Sequence, residues 1–123
     1  KHLVDNINAS TNCKASLYDL ADKTELNKSI DNSYILTNAT SVGMAPNTDN
    51  CIITDESVLR SDLIVSDVIY NPMETKLLKM AKAHGCKTFN GLYMLLYQGA
   101  EAFKIWTGQD MPVKEIKAKY FDK

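Results

Sequence analysis

Cysteine, proline, glycine and tryptophan are all scarce in this chain, at 3, 3, 5 and 1 of 123 residues. Cysteines so few, odd in number and without a C-x-x-C pair exclude a disulfide framework and offer no zinc-site spacing, so no metal is expected. The low glycine and proline content excludes collagen-like and low-complexity chains. Neither charge sign dominates: Lys+Arg 14 against Asp+Glu 15 leaves a net charge of −1. Phosphate binding needs a clear basic surplus, so nucleic acid is not an expected partner. No apolar run reaches the roughly 18–20 residues that span a bilayer, so no membrane association is expected. What is present is 45% hydrophobic and 24% charged sequence, enough to bury about two thirds of the unfolded surface without staples. The composition is that of an ordinary cytoplasmic domain with three reduced, mostly buried cysteines and two solvated histidines, His2 and His84.

The chain opens at Lys1 rather than Met, and no apolar core with a small-residue cleavage site follows. A processed or excised piece of a longer protein is therefore the expectation. Leu3 and Ile7 stand at i, i+4 spacing and predict a helix over residues 2–9. The short alternating run KASLY (14–18) reads as a strand, and TELNKSI (24–30) as a helix with Leu26 and Ile30 on one face. YILT (34–37) and LIVSDV (63–68) are compact apolar runs of the buried-strand type. Residues 45–61 between them are polar and irregular, apart from a turn of helix near Val58. Leu77, Leu78 and Ala81 mark a helix over 74–84, with Gly85 at its C-terminal end. Residues 86–89 form a last short strand. Asn90 then caps a helix over 91–106, and Pro112 opens a final helix reaching Tyr120. Strands alternating with helices at this spacing predict an α/β fold with a parallel sheet.

Ligands of open parallel sheets sit beyond the carboxyl ends of the strands. Three segments qualify: NATSVGM (38–44), DVIYNP (67–72) and the start of the helix after Phe89. On that helix Leu92, Leu95, Leu96, Gly99, Ala102, Phe103 and Trp106 form an apolar stripe expected to face the core. Gly91, Met94 and Gln98 form a neighbouring stripe, where glycine permits close backbone approach and an uncharged amide suits hydroxyl binding. The plainer reading of Gln98 is a partly exposed polar residue, and that of Tyr70 a packed ring with a wet hydroxyl. NATSVGM lacks the G-x-G-x-x-G pattern and reads by itself as an ordinary turn. Asp67 reads as a capping or loop residue rather than a base. The residues alone therefore stop at a small-molecule site of open chemistry.

Taken together, NATSVGM, LIVSDVIYNP and NGLYMLLYQGAEAFKIWTGQDMP resemble the C-terminal part of the shikimate dehydrogenase family, especially its quinate/shikimate branch, over residues 13–113. The resemblance implies a Rossmann-like NAD(P)-binding domain, here without its first two strands and followed by C-terminal helices. It also implies reversible reduction of 3-dehydroshikimate to shikimate, or the quinate pair, with NADP or NAD. Gln98 and Tyr70 would then contact the substrate, while Thr40, Ser41, Val42, Met44, Val68, Gly91 and Met94 would face the cofactor, Gly91 through its carbonyl. Tyr93 stands where relatives usually carry the second glycine of a G-x-G-M pattern. The family's catalytic lysine and aspartate belong to an N-terminal substrate domain outside this chain, so no catalytic residue is expected within it and the piece alone should be inactive. In a sheet of order 3-2-1-4-5-6, KASLY, YILT, LIVSDV and TFN would be strands 3, 4, 5 and 6. The fourth strand then has an unpaired edge, through which the piece is expected to self-associate. The alternatives are a free-standing binding module without catalysis and a purely structural interaction domain.

Overall fold

A computed structural model describes residues 1–121. They fall into two compact units, Lys1–Ser33 and the described residues from Tyr34 onward. The first contains α1 (His2–Ser10) and α2 (Lys23–Asp31). Asp22 caps α2 by accepting from the Glu25 amide at 3.1 Å, which ties up a backbone donor that the first helical turn leaves unpaired. Residues 14–18 form no strand, against the expectation. A strand requires a neighbour to take its backbone groups, and the one Ala15 finds is a side chain. The Asn8 amide donates to the Ala15 carbonyl at 2.9 Å and accepts from the Ala15 amide at 2.7 Å. Leu17, Tyr18 and Leu20 are consequently exposed.

The second unit is built on three parallel strands, β1 (Ile35–Asn38), β2 (Ile64–Asp67) and β3 (Lys87–Phe89), in the order β1-β2-β3. The register pairs Asn38 with Asp67 and Ser66 with Phe89. β2 lies in the middle, so Val65 is fully buried, as is Leu63 just ahead of it. The β1-to-β2 crossing contains only a single 3-10 turn, Glu56–Val58, whose Val58 and Leu59 seal the core. The β2-to-β3 crossing is made by α3 (Lys76–Ala83), which buries Leu77, Leu78 and Ala81 against those strands. Thr75 is its cap, so the helix begins two residues later than the expected 74. Gly85 at φ +78° follows its end, a left-handed conformation that glycine adopts without steric cost.

α4 (Leu92–Thr107) and α5 (Val113–Tyr120) complete the unit. The apolar stripe of α4 is only partly covered: Leu96 is buried, Gly99 is exposed and Trp106 is 81% exposed. α4 packs chiefly on the short α5, so the far end of its stripe meets no covering element among the described residues. Tyr93 packs with α5, its ring 6.5 Å from that of Phe121 and under the Lys117 ammonium at 5.0 Å. The aromatic residue at this position thus ties the start of α4 to the end of α5.

The cysteines differ from the expectation. Cys86 is buried, Cys51 is intermediate and Cys13 is exposed. Burial pushes the Cys86 thiol above its ordinary pKa, and the thiol donates to the Arg60 carbonyl at 3.2 Å. Because only the thiolate is nucleophilic, alkylation of the folded protein is expected to reach Cys13 first. Cys86 should lag by at least about tenfold and match Cys13 once denaturant is added. Mass-spectrometric counting of labelled sites checks this; equal rates in the folded protein would contradict the burial. Among the histidines, His2 is exposed, and His84 stands half-exposed with its Nε2 3.1 Å from Glu56.

Candidate functional site

The carboxyl ends of β1 and β2 lie side by side, and the loops that leave them form facing walls. The first loop turns sharply: the Met44 amide donates to the Ser41 carbonyl at 3.1 Å. Gly43 occupies the third turn position at φ +95°, which a type II turn requires and L side chains resist. The second loop runs from Val68 to a cis Asn71–Pro72 bond. The two meet directly, the Ala45 amide donating to the Asn71 carbonyl at 3.2 Å. Between them lies a cleft of about 320 Å³ walled by Thr40, Ser41, Met44 and Ala45 on one side and Val68, Ile69, Tyr70 and Asn71 on the other. That volume is at the lower end of what small-molecule pockets occupy, about 300–1,000 Å³.

The sequence-predicted residues Thr40, Ser41, Met44, Val68 and Tyr70 converge on this cleft. Gly91 lies buried behind it. Its amide donates to the Ile69 carbonyl at 3.0 Å, and a Cβ at this position would sit 1.9 Å from the Val68 carbonyl oxygen. Glycine here therefore brings the positive N-terminal end of α4 against the second wall. Val42, Met94 and Gln98 are exposed and stand outside the cleft wall. The Gly91 carbonyl already accepts from the Leu95 amide at 3.0 Å, leaving one lone pair for a ligand.

Pattern reading passed over the residues that hold the walls in place. Asn38, Asp67 and Thr75 are each 1% exposed. Asp67, read as a capping or loop residue, is a buried acceptor for four contacts from three residues. These come from Asn38 Nδ2 to both carboxylate oxygens at 3.2 Å, from the Ile69 amide at 3.0 Å and from Thr75 Oγ1 at 2.8 Å. The strand-end polar residues of the two apolar runs were the available signal. Only the parallel register, which sets Asn38 opposite Asp67, turns it into a contact.

A larger cleft of about 480 Å³ opens elsewhere, with Met73, Glu74, Lys82, Phe89, Asn90 and Tyr93 in its wall. Its polar groups serve one another: Lys82 pairs with Glu74, and Asn90 Nδ2 donates to the Met73 carbonyl at 2.9 Å. The Lys82 hydrogen bond holds Glu74 below the usual carboxylate pKa. The pair therefore favours the folded state above that usual value, and its contribution disappears as pH falls through the depressed one. Both side chains are well exposed, so the effect is small and salt-screened.

Residues 91–119 match the model of the shikimate 5'-dehydrogenase C-terminal domain. Shikimate dehydrogenase (NADP(+)) of Streptococcus uberis is 58% identical over 120 residues, spanning 97% of this chain and 41% of that protein. The corresponding protein of Listeria innocua is 51% identical over 118 residues, spanning 96% and 40%. The chain belongs to the shikimate dehydrogenase family. Solved structures of that family place the fold as well. Shikimate 5-dehydrogenase from Listeria monocytogenes, in complex with shikimate and NAD, superimposes with a TM-score of 0.88 at 50% identity, over 96% of this chain and 41% of that one. Quinate dehydrogenase from Corynebacterium glutamicum, in complex with NAD, follows at 0.79 and 30%, over 99% and 42%. The three parallel strands with their helices are the C-terminal portion of a Rossmann-like fold. The chain spans about two fifths of the length of the relatives it matches.

Proposed function

We propose that this chain is the nicotinamide-side part of an NAD(P)-dependent shikimate or quinate/shikimate dehydrogenase, interconverting 3-dehydroshikimate and shikimate in the whole protein. The observation that carries the reading is the convergence of Thr40, Ser41, Met44, Val68 and Tyr70 on one cleft at the carboxyl ends of adjacent parallel strands, with Gly91 docked behind it. That is where open α/β sheets bind nucleotides. When bound, the nicotinamide supplies or accepts the hydride; the part of this chain's residues is binding and orientation. Val68 and Met44 give apolar surface for a flat ring, and Thr40 and Ser41 give hydroxyls beside it. The second lone pair of the Gly91 carbonyl suits an amide donor, and Met94 lies one turn further along the same helix. Val42 keeps the first loop in shape through its backbone, its amide donating to Thr40 Oγ1 at 3.1 Å and its carbonyl accepting from Asn38. Tyr70 and Gln98 offer a phenol and an amide to substrate hydroxyls. NADP is favoured because the curated relatives carry it in their names, and a cytoplasmic enzyme is the corresponding setting.

Residues 1–123 are read as a partial cofactor domain with its C-terminal helices, joined in the whole protein to a substrate domain that holds the acid–base groups. The test is a titration of the full-length protein with NADPH, followed by shikimate oxidation with NADP⁺ and then with quinate in its place. Saturable binding and turnover are expected. The 123-residue chain alone should show no turnover, because substrate positioning and proton transfer together contribute many orders of magnitude to rate. Turnover by the isolated chain would overturn this division of labour.

The β1 edge supports a further property of the isolated chain. Among the described residues β1 pairs only with β2, and Tyr34 and Ile35 are 82% and 59% exposed. Such an edge is a template for another strand, and a second copy of the chain can supply one. Sedimentation velocity should show dimers or larger species of the isolated chain at high concentration, dissociating in Ile35→Lys. A strictly monomeric wild-type chain would contradict the edge pairing.

A further inference from the structure

Every segment that carries a candidate site residue is tied, directly or through one intermediate, to a single buried carboxylate. Asp67 Oδ1 accepts from the Ile69 amide, and the Ile69 carbonyl accepts from the Gly91 amide, so the second wall and the start of α4 hang on one chain of bonds. Asp67 also takes one Asn38 Nδ2 hydrogen, shared between both oxygens, while the other goes to the Val42 carbonyl at 3.1 Å. Asn38 Oδ1 in turn accepts from the Thr40 amide at 3.1 Å and from Thr40 Oγ1 at 2.7 Å, which holds the first wall. Thr75 closes the set: its hydroxyl donates to Asp67 Oδ2 at 2.8 Å and accepts from the Leu78 amide at 3.4 Å, anchoring α3. All groups facing the carboxylate are donors. A group that only accepts is needed, and an ionised one makes hydrogen bonds roughly twice as strong as a neutral one.

We propose that Asp67, through Asn38 and Thr75, is the positioning residue of the nicotinamide cleft, setting the separation of its two walls. The inference rests on the reading of that cleft as the cofactor site. Asp67 is not a catalytic residue, since its oxygens are occupied by protein donors and buried from the cleft. A small slackening of a wall matters because a flat ring is held by contact on both sides, and dispersion falls steeply with a gap of less than 1 Å.

The experiment uses the full-length protein and reads the dissociation constant of NADPH by its fluorescence, beside the thermal midpoint without cofactor. Thr75→Val keeps the branched shape and loses both hydrogen bonds; Thr75→Ser keeps both. We expect Thr75→Val to weaken NADPH binding at least fivefold at a temperature where circular dichroism shows it fully folded. Thr75→Ser should remain within twofold of wild type. A purely structural hydroxyl would lower the midpoint and leave the dissociation constant unchanged, and that result overturns the inference. Asp67→Asn, which turns an amide NH₂ toward the donors, should weaken binding further if it folds; the Thr75 pair decides the matter if it does not. Absence of both NADPH and NADH binding by the wild-type protein would overturn the cofactor reading itself, and the inference with it. Wild-type binding with an equal Thr75→Val constant overturns the inference alone.

Discussion

Gly91→Ala should destabilise the protein by about 3 kcal/mol or more, the upper end of what a point substitution into packed structure costs. The added Cβ would stand 1.9 Å from the Val68 carbonyl oxygen and 2.4 Å from its carbon. Both are backbone atoms at the end of the central strand, and no rotamer change moves them. Relief would require α4 to withdraw from the sheet, which breaks the hydrogen bond from the Gly91 amide to Ile69 and leaves that buried carbonyl without its donor. The backbone angle is not the obstacle, because φ at Gly91 is −77°, open to any residue. The contrast lies eight residues away, in the middle of the same helix. At Gly99 nothing stands within 4 Å of an added Cβ, and alanine is worth up to about 1 kcal/mol over glycine in a helix interior. Gly99→Ala should therefore raise the thermal midpoint while Gly91→Ala lowers it sharply or abolishes the transition. Equal effects of the two substitutions would mean that α4 is not seated against Val68.

The second large effect is expected at Asp67. Asp67→Ala removes the acceptor for the Ile69 amide and the Thr75 hydroxyl and half of the bonding of the Asn38 amide, in a place buried from solvent. Each stranded donor costs about 1–3 kcal/mol, so a total of at least about 3 kcal/mol is expected in chemical denaturation. Asn38→Ala should cost less, because it leaves the carboxylate two of its donors. The double variant should be milder than the sum of the singles by about 0.5–3 kcal/mol, as residues in one network are coupled. Strict additivity would show that Asn38 and Asp67 do not act together. The same substitution in the full-length protein should impair NADPH binding, since the walls of the cleft lose their tie.

Much of the fold was legible because periodicity is local. The runs around residues 35 and 65 are apolar for the same reason that they are buried, and the observed strands lie within one residue of them. Helices α1 to α5 followed from i, i+4 spacing, with Gly85 just past α3 and Pro112 just before α5, while Gly91 rather than the expected Asn90 is the N-cap of α4. The failures were those of context. KASLY alternates like a strand, yet alternation says nothing about whether a neighbour exists, and Asn8 satisfies Ala15 instead. The stripe on α4 has helical spacing throughout, but exposure of Trp106 depends on which element lies opposite.

The same division holds for the site. By itself the sequence determined the α/β class, the strand ends that wall the cleft, and the family, because hydrophobic spacing and the order of NATSVGM, DVIYNP and the Gly91 helix are properties of the chain read along its length. Tertiary structure alone decided that Thr40, Ser41, Met44, Val68 and Tyr70 share one cleft while Val42, Met94 and Gln98 stand outside its wall. It alone made Asp67 a hub, since a carboxylate at a strand end becomes structural only when the neighbouring strand presents a donor. Asn38 is 29 residues away along the chain and hydrogen-bonded across it. Pairing register and burial are relations between distant segments, and these relations convert a polar residue of ordinary appearance into the fastening of the cleft walls.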